Sequence, residues 1–142
     1  MRAYADTSFL FSLYLEDTNS GLADTLNSKL QPCYIYTPLH ELGLNNAIEL
    51  AVFRREITAT QATAARTDFE QDLLHWTLSP LPSDAFSMAV SLARRHTARY
   101  GSSSVDVLHV ATASALGAEA FFTFDRRQRR LARAEGLRIP SP

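Results

Sequence analysis

The sequence predicts an α/β fold with a mostly parallel central sheet flanked by helices. Short runs rich in aromatic and β-branched residues alternate along the chain with longer segments whose apolar residues recur at helical spacing. Strands that alternate with helices form right-handed βαβ units, whose strands run parallel. The most apolar helical segment, 101–116, has no polar face wide enough to meet solvent, so we expect it to lie buried at the centre of the fold.

The first half of the chain supplies two predicted strands and four predicted helices. The strand 2–5 ends at Asp6, after which the apolar spacing becomes helical. The later elements of this half are a helix over 22–30, a strand over 34–37 and helices over 38–54 and 58–75. Pro38 suits the first helical position, since it has no backbone N–H to leave unpaired there. The helix 38–54 carries one apolar stripe, which we expect to face inward: Leu39, Leu42, Ala47, Leu50, Ala51 and Phe53.

The second half supplies the central helix and the strand with the strongest β-propensity. Predicted elements are a strand over 76–78, a helix over 83–100, the central helix 101–116, a strand over 120–124, a helix over 126–135 and a strand over 137–139. Gly117 and Gly136 each suit the end of the helix before them. The helix 83–100 is expected to be buried on the side formed by Phe86, Ala89, Val90, Leu92 and Ala93.

Composition describes an ordinary globular domain. The 142 residues, 46% hydrophobic and 20% charged, fit one domain, 1–142, with its own core. A net charge of −1 excludes a polycation that binds nucleic acid over its whole surface. The single cysteine, Cys33, excludes an intrachain disulfide and is consistent with a reducing compartment. With no segment long and apolar enough to span a bilayer and no signal-peptide core, we expect a cytoplasmic protein without a membrane partner.

Three carboxylates are candidates for one site. Asp6 and Asp125 each terminate a predicted strand, and Asp106 lies in the first turn of the central helix. Asp6 also suits a helix cap, and Ser103 with Asp106 resembles a capping box. In parallel sheets, however, sites lie outside the carboxyl ends of the strands. Converging acids repel unless a cation neutralises them, and hard oxygen ligands favour Mg²⁺ or Mn²⁺ over zinc.

The segments around these acids resemble the acidic motifs of PIN-domain ribonucleases, specifically the VapC-type toxins of bacterial toxin–antitoxin pairs. The matching segments are 4–8 (YADTS), 104–113 (SVDVLHVATA) and 122–125 (FTFD), in that order. The resemblance covers essentially the whole chain. It implies a PIN-like fold, cleavage of RNA by an endoribonuclease that depends on Mg²⁺ or Mn²⁺, inhibition by a cognate antitoxin, and commonly a homodimer.

The resemblance also implies roles for particular residues. Asp6 and Asp106 would be the principal metal ligands, directly or through water, and Asp125 would complete the site. Thr123 or Ser8 would orient a carboxylate or a water. The implied reaction is the attack of a metal-activated water on a phosphodiester. Whether one or two metal ions bind stays open.

The chain departs from the family pattern at one position. A glutamate usually follows the second strand, and the corresponding residue here is Gly43, while Glu41 lies two residues earlier on another helical face. Three interpretations remain: Glu41 substitutes through a shifted helix start, the site works without this acid, or the chain is an impaired variant. A mid-helix glycine costs about 1 kcal/mol relative to alanine, so it usually has a packing or functional reason.

Alternative roles remain for other residues and for the whole chain. His109, three residues after Asp106, is either a packed histidine or a residue facing the site. The arginines of 126–133 either hold RNA phosphates or an acidic antitoxin segment, or form a solvated helix face. A haloacid dehalogenase-type phosphatase would need a second aspartate where Ser8 stands. The stronger alternative is a degenerate PIN scaffold that binds RNA or a partner without cutting.

Overall fold

A computed structural model describes residues 1–141 and contains a four-stranded sheet in the order β3-β2-β1-β4. The strands are β1 (Arg2–Ala5), β2 (Cys33–Tyr36), β3 (Thr77–Leu78) and β4 (Ala120–Phe122). The helices are α1 (Thr7–Tyr14), α2 (Ser20–Leu30), α3 (Pro38–Phe53), α4 (Ala59–Leu73), α5 (Ala85–Tyr100), α6 (Ser104–Ala115) and α7 (Arg126–Ala134). All three strand pairings are parallel, which confirms the predicted fold class.

Side chains of β1 alternate between two hydrophobic clusters, one on each face of the sheet. Ala3 and Ala5 pack with α1, α3 and α4, whereas Tyr4 packs with α5, α6 and α7. This alternation follows from the two-residue period of a strand. The aromatic residues Phe9 and Phe121 are 1% and 0% exposed, and burial of each stabilises the fold by about 2 kcal/mol. β1 lies inside the sheet between β2 and β4, and its carboxyl end lies between the two helical layers.

The central helix prediction is confirmed, and the structure shows why α6 begins where it does. Gly101 adopts the left-handed conformation (φ 66°) that ends α5, and Ser103 then caps α6. Val107 and the run His109 to Ala113 are buried, while Val105 in the first turn is 52% exposed. A residue with a Cβ is strained at such a φ, so Gly101 suits the tight connection between the two packed helices.

The predicted inner face of α3 was wrong except at Ala51, and that of α5 was right at Ala89 and Leu92 but wrong at Phe86 and Val90. In α3, Leu42 is 69% and Phe53 83% exposed, and the buried face is His40, Leu44, Ile48 and Ala51. In α5, Phe86 is 65% and Val90 59% exposed, and the buried residues are Ala85, Ala89 and Leu92. Apolar residues surround α3 on several sides, so periodicity alone could not select the face that α1 and α4 cover.

The last two predicted strands are shorter than expected. β4 ends at Phe122 instead of residue 124, and the predicted strand 137–139 is a single bridge between Ala120 and Arg138. After Phe122 the backbone N–H groups of Phe124 and Asp125 donate to the side chains of Ser8 and Thr123 instead of a neighbouring strand. Side-chain hydrogen bonds thus end the strand, and the chain turns at the carboxyl edge of the sheet.

Candidate metal centre

Asp6 lies between the end of β1 and the start of α1. Its backbone N–H donates to the carbonyl of Phe122 in β4 at 3.0 Å, which fixes it at the carboxyl edge of the sheet. Its carboxylate caps α1: the backbone N–H of Phe9 donates to Oδ1 at 3.0 Å. The hydroxyl of Ser8 donates to Oδ1 at 2.6 Å, and that of Thr123 donates to Oδ2. Asp6 is therefore both a helix cap and a rigidly held carboxylate.

Asp106 is in the first turn of α6. Its backbone N–H donates to the hydroxyl oxygen of Ser103 at 3.2 Å, the capping bond that the sequence suggested. The residue is partly buried, and its negative charge raises the pKa of Asp6. Capping by Ser103 fixes the helix start and leaves the carboxylate of Asp106 facing the same crevice as Asp6.

Asp125 caps α7 and is connected to Asp6 through a threonine. The backbone N–H of Gln128 donates to Asp125 Oδ1 at 2.8 Å. The backbone N–H of Asp125 donates at 3.0 Å to the hydroxyl oxygen of Thr123, which itself donates to Asp6. Ser8 makes a parallel link, since its hydroxyl donates to Asp6 and accepts from the backbone N–H of Phe124. Thr123 and Ser8 thus both donate to the carboxylate of Asp6, and a role for them in orienting it during catalysis stays a prediction.

The three aspartates line one crevice of about 590 Å³ at the carboxyl edge of the sheet. Its walls come from α1, α3, α6 and the loop before α7, and they include apolar side chains of α1 and α3. The acidic residues on the wall are Asp6, Asp17, Glu56, Asp106 and Asp125. Arg54 is the one arginine or lysine that lines this wall within residues 1–141. The crevice is therefore strongly negative and suited to a cation.

Burial shifts the pKa values of two of these acids upward. Desolvation raises the pKa of Asp6 to about 6 and outweighs the lowering effect of the hydrogen bonds from Ser8, Thr123 and Phe9. The charge of Asp106 raises it further. Desolvation, then the charge of Asp125, raises the pKa of Asp106 against the hydrogen bond with Ser103. Burial therefore disfavours the ionised form of both carboxylates, and a bound cation, which favours that form, would offset this cost in stability.

The raised pKa of Asp6 predicts an unusual dependence of stability on pH. The folded protein keeps the Asp6 proton up to about pH 6, whereas the unfolded chain releases it near pH 4. The folded state therefore binds more protons within this window, and the free energy of unfolding falls as pH rises through it, by about 3 kcal/mol from this group. Urea unfolding of the metal-free protein between pH 4 and pH 7 measures this slope.

Asp6→Asn is the matched control for this prediction. Asparagine caps helices as well as aspartate does, so the variant keeps the cap of α1 while it removes the titrating group. We expect Asp6→Asn to be more stable than the parent chain at pH 7 and to have a flatter profile between pH 4 and pH 6. Parallel profiles for the two proteins would contradict the assignment of the slope to Asp6.

The carboxylates fit a hard divalent cation by chemistry. Asp6 is 4% exposed, and within residues 1–141 no lysine, arginine or histidine forms an ion pair with it. Across that same range, no group of three or more His, Cys, Asp and Glu side chains is arranged to hold a metal ion. Any ion at this crevice would thus take few direct protein ligands and complete its shell with water, as Mg²⁺ commonly does.

Glu41 and Gly43, the two residues considered in place of the family's usual glutamate, lie in different surroundings. Glu41 is exposed in the first turn of α3 and does not line the crevice. Gly43 faces α1: a Cβ at this position would lie 2.4 Å from the Thr7 hydroxyl oxygen. The close approach of α3 to α1 therefore explains the glycine by packing, and a larger residue requires the Thr7 side chain to move. The predicted substitution of Glu41 for this acid receives no support from its position.

Sequence reasoning missed several residues of the crevice. Asp17 follows α1 and accepts a hydrogen bond from Ser12, which is buried against the crevice wall. Glu56 comes from the loop after α3. These acids carry no motif, and only the folding of the loops beside β1 brings them to the site. His109 is both a packed histidine and a residue of the site, since it is 2% exposed and also lines the crevice.

With this geometry established, the family can be identified. The sequence model of the PIN domain matches residues 3–134. The chain belongs to the PIN domain family. All three segments that carry the candidate aspartates fall within the matched range of this PIN domain. No curated protein matches the sequence.

Solved structures share the fold of this PIN domain. Mycobacterium tuberculosis VapC20, a Sarcin-Ricin loop cleaving toxin, has a TM-score of 0.73 at 22% identity, with 99% of each chain covered. VapBC2 from Rickettsia felis, solved with a DNA fragment from its promoter, gives 0.66 at 12%, covering 99% of this chain and 98% of that one. FitAcB from Neisseria gonorrhoeae gives 0.67 at 14%, covering 99% and 97%. At these identities the similarity establishes the fold.

Proposed function

We propose that this PIN domain is an endoribonuclease that depends on Mg²⁺ or Mn²⁺ and acts as the toxin of a toxin–antitoxin pair. The observation that carries the proposal is the crevice that Asp6, Asp106 and Asp125 all line, with Asp6 buried and held by three donors. Similarity of fold to VapC20, a toxin that cleaves the Sarcin-Ricin loop, supports RNA as the substrate class.

Each polar side chain of the crevice has a proposed role that follows from its position. Asp6 and Asp106 would hold the cation, and Asp125 would complete the site directly or through water. The cation, when bound, lowers the pKa of a coordinated water and neutralises the charge that develops on the cleaved phosphodiester. Ser8 and Thr123 hold the Asp6 carboxylate in a single orientation by hydrogen bonds to different oxygens. An oriented carboxylate loses less entropy on binding an ion.

The arginines of α7 support binding of a polyanion beside the crevice. Arg126, Arg127, Arg130 and Arg133 are exposed, and none of these four forms an ion pair with an acid in residues 1–141. Arg126 and Arg127 occupy the first turn of the helix, where positive charge opposes the helix dipole. Guanidinium groups bind phosphate oxygens well, so we assign these two arginines to the RNA backbone next to Asp125.

An antitoxin partner and a homodimer are parts of the same proposal. The fold similarity to VapBC2 from Rickettsia felis supports a protein partner encoded with the toxin. The exposed apolar side chains of Leu42 and Phe53 on α3 are suited to a protein contact. Localisation in the cytoplasm stays a prediction, and no helix within residues 1–141 has the length and apolarity needed to cross a bilayer.

A mapping experiment tests the nuclease proposal. The purified protein is incubated with a defined pool of cellular RNAs in Mg²⁺, in Mn²⁺ and in EDTA, and new RNA ends are sequenced. We expect discrete new ends in both divalent ions and none in EDTA. Ends that form equally in EDTA, or no ends in any condition with intact RNA binding, would contradict metal-dependent cleavage.

A second candidate function is an impaired PIN scaffold that binds RNA or an antitoxin without cutting. Gly43 favours it, since glycine supplies no acid where the family that the sequence resembles usually has a glutamate, and Thr7 lies where the Cβ of a larger residue would go. The same mapping experiment separates the candidates when RNA affinity is measured in parallel. A scaffold would retain RNA affinity in EDTA and produce no new ends.

A further inference from the structure

A buried hydrogen bond joins β1 to α6 beside the crevice. The hydroxyl of Tyr4 in β1 lies 2.8 Å from Nδ1 of His109 in α6. Tyr4 is 0% and His109 2% exposed, so the contact is shielded from water. Tyr4 lies two residues before Asp6, and His109 lies three residues after Asp106. The bond therefore connects the two backbone segments that carry the two principal carboxylates.

The ring of Tyr4 is fixed by aromatic neighbours on two sides. It stacks on Phe121 of β4, with ring centroids 5.5 Å apart and an interplanar angle of 10°. On the other side the ring of His40 in α3 lies with its centroid 4.3 Å away. Nδ1 of His40 accepts from the backbone N–H of Thr37 at 3.0 Å, which fixes that ring in turn. The direction of the Tyr4 hydroxyl is thus set by packing.

His109 lies on the crevice side of α6. Residues three apart on a helix share a face, so Asp106 and His109 are neighbours, and both line the crevice. Nε2 of His109 is buried without a hydrogen-bond partner in the described chain. A buried polar atom left without a partner destabilises a fold and calls for a functional explanation. Burial lowers the pKa of His109 to about 4 and raises the pKa of Tyr4, so both side chains are neutral at neutral pH.

We propose that Tyr4 and His109 are positioning residues of the crevice, whose hydrogen bond sets the distance between the Asp6 and Asp106 carboxylates. In this arrangement the Tyr4 hydroxyl donates to Nδ1, which requires the His109 tautomer that carries its proton on Nε2. Neither residue contacts the cation or the RNA in this proposal. The proposal rests on the proposed function only in that the two carboxylates bind a divalent cation.

The experiment compares Tyr4→Phe with Tyr34→Phe in the full chain. Both changes remove one hydroxyl from a buried tyrosine and keep the ring. Tyr34 lies on the neighbouring strand, and its hydroxyl donates to Asn27 of α2 at 3.2 Å, away from the crevice. Each variant therefore loses one side-chain hydrogen bond of a buried tyrosine, and only Tyr4→Phe breaks the connection to α6.

Two readouts are measured for each protein. The first is Mn²⁺ affinity by calorimetry, which we expect Tyr4→Phe to lower about tenfold or more, as for other partners that orient metal ligands. The second is hydrogen exchange of the amides of 107–110 in metal-free protein, which we expect to accelerate about fivefold, the factor for loss of one hydrogen bond. Tyr34→Phe should change neither value.

These outcomes separate the inference from the proposed function. Unchanged exchange in Tyr4→Phe, or a drop in Mn²⁺ affinity that is equal in Tyr34→Phe, would overturn the positioning role. A parent chain that does not bind Mn²⁺ would overturn the metal-dependent function, and the exchange data would still decide whether the bond fixes α6.

Conservative replacements of His109 provide a rescue test. The side-chain oxygen of asparagine lies near the place of Nδ1 and accepts from Tyr4, whereas the longer glutamine places its amide near Nε2. We expect His109→Asn to retain more of the Mn²⁺ affinity than His109→Gln. The opposite order would overturn the assignment of the role to Nδ1.

Discussion

Asp106→Asn should reduce metal-dependent RNA cleavage by more than about 100-fold, beyond the loss that follows removal of a residue merely orienting a ligand. Asparagine keeps the size of the side chain but removes the negative charge and one oxygen ligand. The fold should persist, since Ser103 caps α6 through the backbone N–H of residue 106, which the substitution leaves in place. Initial rates on a short RNA that contains one mapped cleavage site measure the effect.

The control for this variant is Asp24→Asn, which removes the same charge from an exposed position on α2 outside the crevice. We expect Asp24→Asn to cleave at the rate of the parent chain, which excludes an effect of net charge. Comparable thermal midpoints of the two variants exclude unfolding as the cause. A cleavage rate for Asp106→Asn within a few-fold of the control would remove Asp106 from the metal centre.

Gly43→Glu should raise the cleavage rate about tenfold or more, the size of effect expected when a metal site gains a supporting partner. The side chain at residue 43 would start beside Thr7, the residue that follows Asp6, and so bring a further carboxylate toward the crevice. A Cβ at residue 43 requires the Thr7 hydroxyl to rotate away. Replacing glycine also stabilises α3 by up to about 1 kcal/mol through helix propensity, and the crowding against Thr7 offsets this gain.

Two controls isolate the charge from the steric change. Gly43→Gln introduces the same length without the negative charge and should leave the rate unchanged. Thr7→Ala combined with Gly43→Glu removes the close contact and should be at least as active as Gly43→Glu alone. Equal cleavage by Gly43→Glu and the parent chain would contradict the hypothesis that Gly43 impairs the site.

Much of the fold was predictable because its elements are local. β1 matched its predicted bounds, 2–5, and the central helix was found from apolar residues and a Ser103 cap. The errors on α3, and at Phe86 and Val90 of α5, have one cause: a helix with apolar residues on several sides does not encode which side a neighbour covers. That residues 1–142 form one PIN domain stays a prediction.

The sequence by itself determined the α/β class, the parallel sheet and the presence of aspartates at the ends of β1 and before α7, since strand endings and caps are read from adjacent residues. Only the tertiary structure decided that Thr123 connects Asp6 to Asp125, that Gly43 packs on Thr7, and that Tyr4 bonds His109. These contacts join residues distant in the chain, and their directions depend on how the helices pack on the sheet.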